Sequence, residues 1–122
     1  MNQTDIARQG DATPVISVVV TFHNIDAALI RHCVDSLVHQ HFDYPYELIL
    51  VDDCSTDVTP TVLREYLSEK NVHFIELQEN VGPGGARNLG IESAKAELVT
   101  IVAGDDFVPP SSLALFLAAS SP

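Results

Sequence analysis

The sequence predicts an α/β fold, with a mostly parallel sheet of about four strands and helices on its faces. Three observations carry that expectation. Apolar runs rich in β-branched residues cover 15–22, 48–51, 72–77 and 98–102, and turn formers bound them, as in buried strands. Segments with helical periodicity lie between these runs, at the spacing of right-handed crossovers. Three of the four runs stop on polar residues, and parallel strands deliver such ends to one edge, where open α/β sheets bind ligands.

Taken in order, residues 1–14 are polar, contain Gly10 and Pro14 and show no periodicity, so a mobile lead-in is expected before a domain over 15–122. The first strand, 15–22, ends in His23-Asn24. A helix follows over about 26–40, capped by Asn24 or Asp26. Its ladders Leu29-Cys33-Leu37 and Ile30-Val34-Val38 put one stripe against the sheet. The loop HFDYPYE leads to the second strand, Leu48 to Val51, which stops at Asp52-Asp53.

Ser55 or Thr56 then suits an N-cap, Asp57 a first turn and Pro60 a helix start. That helix is expected to reach about Glu69 and to bury Val62, Leu63, Tyr66 and Leu67. A third strand over 72–77 alternates only partly, and a helix from about Gly85 to Ala94 follows the loop QENVGPGGARNLG. The fourth strand, 98–102, closes on Ala103-Gly104-Asp105-Asp106, and Pro109-Pro110-Ser111 opens a last helix over 112–119. No repeat of solenoid period is present. With four strands making half a sheet before Pro122, the chain is expected to be the N-terminal part of a larger domain.

Composition narrows the function. The chain has 122 residues, 46% of them hydrophobic, enough for a packed core. Seventeen acidic residues against six basic ones leave a formal charge of −11, which argues against nucleic acid, since phosphate binding needs a basic stripe. A nucleotide remains compatible where a divalent cation stands between carboxylates and phosphates. Cys33 and Cys54 form no CxxC pair, and Cys33 falls on the apolar side of its helix as a small core residue. The five histidines show no zinc spacing. Without an apolar h-region or a membrane-length run, a cytoplasmic location is expected.

The strand ends supply the candidate site. The first delivers Thr21, His23 and Asn24, the second Asp52 and Asp53, the fourth Asp105 and Asp106. Four carboxylates converging on one edge call for a hard cation such as Mg²⁺ or Mn²⁺, which keeps open positions for substrate phosphates. A lone strand-end Asp is more often a turn former, but two pairs on two strands weaken that reading. Gly82, Gly84 and Gly85 let backbone approach a ligand ahead of a helix N-terminus, although a simple turn accounts for them equally. The third position of the dinucleotide fingerprint holds Arg87. Arg87 suits either a phosphate or a salt bridge to Asp52 or Asp53.

In this order and spacing, SVVVTFHN, ELILVDDCSTD and NVGPGGARNLGIESAKAELVTIVAGDD resemble the N-terminal half of family 2 glycosyltransferases. The resemblance covers about 15–117 and implies a Rossmann-like GT-A nucleotide-binding half. It also implies an inverting, metal-dependent transferase that moves a hexosyl group from a nucleotide-diphosphate sugar, commonly UDP-linked, to a glycan or lipid-linked acceptor in polysaccharide biosynthesis. Position by position, it places Thr21 and His23 in the nucleobase pocket, with His23 where members often carry a stacking aromatic, and Asn24 among the nucleotide-binding residues. Asp53 would accept a hydrogen bond from the base and Asp52 would support the loop. Gly84 and Arg87 would lie beside the nucleotide, and Asp105 would hold Mn²⁺ or Mg²⁺.

The family pattern D-x-D-D lacks its first carboxylate here, where Ala103 stands. The resemblance puts the catalytic base and the acceptor site beyond Pro122, so no residue of this chain is assigned as catalytic and the chain alone is expected to be inactive. Contact with the inner membrane face would come through those further regions. Two other readings stand beside it. A degenerate module acting in binding or assembly is motivated by Ala103. A receiver-like signalling domain also clusters aspartates, but it needs an acidic pair after its first strand, where this chain has His23-Asn24.

Overall fold

The computed structural model describes residues 13–120, so nearly all of the expected lead-in over 1–14 lies outside the described residues. Four strands alternate with helices: β1 (Ile16–Phe22), α1 (Ala27–Val38), β2 (Tyr46–Asp52), α2 (Thr59–Arg64), a 3₁₀ turn (Glu65–Ser68), β3 (Val72–Glu76), α3 (Gly82–Ser93), β4 (Leu98–Ala103) and α4 (Ser112–Ser120). The sheet order is β3-β2-β1-β4 and every pairing is parallel. The expected α/β class and parallel four-stranded sheet are therefore present.

Strand alternation sorts the core into two layers. Val18, Val20, Phe22, Leu48 and Leu50 point to the face covered by α1, α2 and α4, where Ile30, Cys33, Val34, Leu37, Leu63 and Leu113 complete the larger cluster. Val19, Ile49 and Val51 point to the opposite face and meet Ala86 of α3. There α3 packs with almost no clearance: a Cβ on Gly90 would stand 2.4 Å from Val19 Cγ1.

Several boundaries differ from expectation for physical reasons. Tyr46 and Glu47, assigned to the loop, begin β2, where both are buried. The Tyr46 hydroxyl donates to Leu37 O at 2.7 Å, and burial raises its pKa. Neither Ser55 nor Thr56 caps α2; Asp57 Oδ1 accepts from Thr59 N at 2.9 Å and Pro60 sits in the first turn. The segment ends in a 3₁₀ turn, whose three residues per turn rotate Leu67 off the buried face and leave it 50% exposed. Asp26 is the cap of α1, through Ala28 N. The third helix begins at Gly82 and not Gly85, because its first amides find an acceptor on another strand.

Candidate functional site

The strand order reverses at β1, with β2 and β3 on one side and β4 on the other, so the ligand-binding crevice of such sheets falls at the carboxyl end of β1. Both neighbouring loops are stitched to that end. Asp53 N donates to Phe22 O at 2.9 Å from one side, and Gly104 N donates to Thr21 O at 3.0 Å from the other. Beyond β1 the backbone of Asn24 turns left-handed, at φ 49°, a conformation its short polar side chain tolerates. Asn24 N donates to Ser55 Oγ at 2.9 Å, while Asn24 Oδ1 accepts from Thr56 N at 2.8 Å. Asp52, fully buried, accepts from the amide and hydroxyl of Ser55. Asn24 and Asp52 thus brace the β1 and β2 loops against each other.

Asp53 does something else. It is 4% exposed, and its Oδ1 accepts from Val81 N at 2.7 Å while Oδ2 accepts from Gly82 N at 3.0 Å. An anionic side chain at the end of β2 therefore satisfies amides at the start of α3, where the helix dipole favours negative charge. Gly82 takes φ +83° there, which glycine adopts without strain. The His23 ring is tied to the same point, with Nδ1 2.8 Å from Asp53 O. A carbonyl only accepts, so Nδ1 carries the proton and the Nε2 of the neutral ring is left as an acceptor. Asn80 Nδ2 stands 3.5 Å from that Nε2, and Asn80 Oδ1 accepts from Gly82 N at 3.1 Å.

These groups rim a cavity of about 280 Å³, with Thr21, His23, Asp53 and Asn80 beside Phe22, Gly82, Pro83 and Ala86. Such a pocket has the chemistry for a flat heterocycle: apolar lining, an imidazole to stack on, and acceptors at the rim. The Asp53 oxygens keep acceptor capacity beyond their two amide bonds.

Of the residues singled out from sequence, Thr21, His23 and Asp53 come together around this cavity. Asn24 and Asp52 lie behind it as loop braces. Gly84 and Arg87 are exposed on α3 and do not line it. The salt bridge from Arg87 to Asp52 or Asp53 is not formed: Arg87 lies on the exposed side of α3, while both carboxylates are buried and bonded to amide and hydroxyl donors. Asn80, Pro83 and Ala86 went unrecognised as lining residues. Only the glycine-rich loop hinted at them, and it is the Asp53 bond that draws that loop over the end of β1.

The convergence of four carboxylates also needs correction. The strand β1 separates the two pairs, a gap of two inter-strand spacings or about 10 Å. Among the described residues no three His, Cys, Asp or Glu side chains are placed to hold a metal together. Asp105 and Asp106 are exposed, and among the described residues no hydrogen bond or ion pair engages either carboxylate. The nearby Cys33 thiol does not compete as a ligand, because burial and these two charges push its pKa up to about 12. The chemistry of this end fits a hard cation that takes one or two carboxylate oxygens and fills its shell with water and phosphate oxygens. It does not form a preassembled cage.

Comparison with known proteins agrees with this geometry. The family described as glycosyl transferase family 2 matches residues 17–120. The chain is 41% identical over 101 residues to a poly(ribitol-phosphate) beta-glucosyltransferase of Bacillus spizizenii, covering 80% of this chain and 16% of that protein. It is 34% identical over 103 residues to the succinoglycan biosynthesis protein ExoO of Rhizobium meliloti, covering 84% and 29%. Among solved structures, S. aureus TarS in complex with UDP-GlcNAc superposes with a TM-score of 0.75 at 34% identity, over 84% of this chain and 30% of that one. The mannosyltransferase PcManGT from Pyrobaculum calidifontis, in complex with GDP-Man and Mn²⁺, gives 0.80 at 28% identity, over 93% and 34%. The chain thus spans less than a third of the length of these two curated relatives. A parallel sheet with its cavity at the end of β1, and a family match running from Ser17 to Ser120, lead to one conclusion: this chain belongs to glycosyl transferase family 2 and carries its GT-A fold.

Proposed function

We propose that this chain binds the nucleotide of a nucleotide-diphosphate sugar, UDP-linked in the first instance, and serves as the donor-binding part of an inverting transfer to an acceptor hydroxyl. The observation that carries the reading is the cavity at the end of β1, where His23 and Asp53 stand side by side with Asn80. The base would enter there and the diphosphate would extend toward β4. The complexes of TarS with UDP-GlcNAc and of PcManGT with GDP-Man and Mn²⁺ support the choice of ligand. Asp105 is the residue that would hold Mn²⁺ or Mg²⁺, with Asp106 beside it. When bound, such an ion supplies charge neutralisation at the leaving diphosphate. The residues of this chain orient the base, through the tethered His23 ring, and keep the Asp53 carboxylate at its edge. The acceptor, glycan or lipid-linked, and a base to take its proton belong to further machinery.

Calorimetric titration of UDP with and without Mn²⁺ tests this reading. Binding strengthened by Mn²⁺, and weakened to the metal-free value by Asp105→Ala, is expected; no heat with either would overturn it. A second reading, nucleotide binding without transfer, rests on Ala103 in place of a carboxylate. It predicts UDP binding with neither sugar transfer nor donor hydrolysis by the intact protein.

A further inference from the structure

The loop that carries Asp105 and Asp106 is held to α1 by a ladder of three side chains. Cys33, Ser36 and Gln40 are spaced i, i+3 and i+7, one line along the helix and its C-terminal extension. The Cys33 thiol donates to Ala103 O at 3.6 Å. Ser36 Oγ accepts from Val108 N at 3.1 Å and donates to Cys33 O at 2.6 Å. Gln40, 9% exposed, uses its whole amide. Nε2 donates to Pro109 O at 2.8 Å, to Ser36 O at 3.0 Å and more weakly to Val108 O at 3.4 Å, while Oε1 accepts from Leu113 N at 3.0 Å. One residue on, His41 N donates to Pro110 O at 2.8 Å.

The other end of the loop is pinned as firmly. Gly104 N donates to Thr21 O, and a Cβ on Gly104 would stand 2.3 Å from the Phe22 ring, so the chain passes flush against β1. Between these anchors Asp105, Asp106 and Phe107 form a short exposed tip, in which Asp106 N donates to Ala103 O and the Phe107 ring lies 4.8 Å from that of His32 on α1. Among the described residues no hydrogen bond or ion pair holds these two carboxylates, so their backbone sets where they stand.

We propose that Ser36 and Gln40, with Cys33, are positioning residues for Asp105. They set where its carboxylate stands relative to the base pocket, although none of them touches a nucleotide. This rests on the reading of Asp105 as the cation-holding residue. Gln40 is a stronger candidate than an ordinary buried glutamine because one amide ties two carbonyls of the loop and the Leu113 amide at the start of α4 to Ser36 O of α1. Its loop bonds fall at Val108 and Pro109, two and three residues after Asp106. Partners bonded directly to a metal-ligating side chain alter metal affinity by about 10- to 100-fold when removed, and these bonds act one step further out, through the loop backbone, so the lower end of that range is expected.

The test uses the intact protein with Ser36→Ala, Ser36→Thr and Gln40→Leu. Three quantities are measured for each: uridine affinity, the gain in UDP affinity from Mn²⁺, and the urea midpoint. Ser36→Ala and Gln40→Leu should lose up to about tenfold of the Mn²⁺-dependent gain and keep wild-type uridine affinity, while Ser36→Thr restores the gain. Amide exchange at Asp105 to Val108 should quicken in the two losing variants. If Gln40→Leu fails to fold, the single hydroxyl removed in Ser36→Ala still decides the matter. A full Mn²⁺-dependent gain in Ser36→Ala, or a parallel fall in uridine affinity, overturns the inference and leaves the nucleotide reading standing. A wild-type protein that binds uridine but gains nothing from Mn²⁺ overturns both the metal assignment and this inference.

Discussion

Removing the Asp53 side chain separates two roles that the structure assigns to one residue. Among the described residues its carboxylate is the only acceptor for Val81 N, at 2.7 Å, whereas Gly82 N keeps Asn80 Oδ1 at 3.1 Å as a second acceptor. Asp53→Ala therefore orphans one amide outright, at about 1–3 kcal/mol, and removes a helix-end charge contribution of about 0.3–1 kcal/mol. Val81 is 44% exposed, so water recovers part of this, and a net loss of about 2 kcal/mol is expected. With a urea m-value of about 1–3 kcal/mol per M, the midpoint should fall by about 1 M. Asp53→Asn keeps an acceptor for Val81 N and should cost about half as much. Exchange of the Val81 amide should accelerate in the alanine variant and far less in the asparagine variant.

The comparison also bears on ligand recognition. Uridine affinity lost in Asp53→Asn at near wild-type stability would assign Asp53 to the base edge, whereas loss confined to Asp53→Ala would assign it to the scaffold. An alanine variant with an unchanged midpoint and an unchanged Val81 amide would refute the reasoning, since the bond across 28 residues would then hold nothing.

Three further predictions rest on packing and burial. Gly90→Ala drives a Cβ to 2.4 Å from Val19 Cγ1 and should cost about 1–3 kcal/mol, whereas Gly84→Ala meets nothing within 4 Å and should stabilise by about 0.5–1 kcal/mol; paired urea melts check both. The buried Cys33 thiol, with its pKa pushed up to about 12, should resist a thiol reagent in the native state while the partly exposed Cys54 reacts. Both should react after denaturation, so two rapid native equivalents would contradict the packing. The pKa of Cys33 is raised on folding, so its stabilising contribution is complete below its unfolded value near 9 and is lost as pH rises toward 12. A melt series from pH 8 to about 11 should therefore decline more steeply in the wild type than in Cys33→Ala.

Much of this protein was legible in one dimension. Continuous apolar runs such as Leu48 to Val51 can be satisfied only by burial on both faces, and helical segments of crossover length between them force parallel pairing. The edge of the sheet and the placement of Asp53 and Asp105 on it followed from that pattern, while the family came from the resemblance of three motif blocks, SVVVTFHN, ELILVDDCSTD and NVGPGGARNLGIESAKAELVTIVAGDD. Periodicity and turn chemistry act over a few residues, which is why they carry this much.

What they cannot carry is the choice of partner across the fold. Asp53 and Asp52 read alike in sequence, yet one caps α3 across 28 residues while the other braces Ser55 three residues away. Asn80 had no strand end or spacing to mark it and reaches the cavity because its loop is drawn to Asp53. Gln40 read as the last residue of a helix, and it is the bridge to a loop some seventy residues later. A polar group leaving water must find some partner, but which one depends on what the packed strands bring within about 3 Å, and only the assembled sheet decides that.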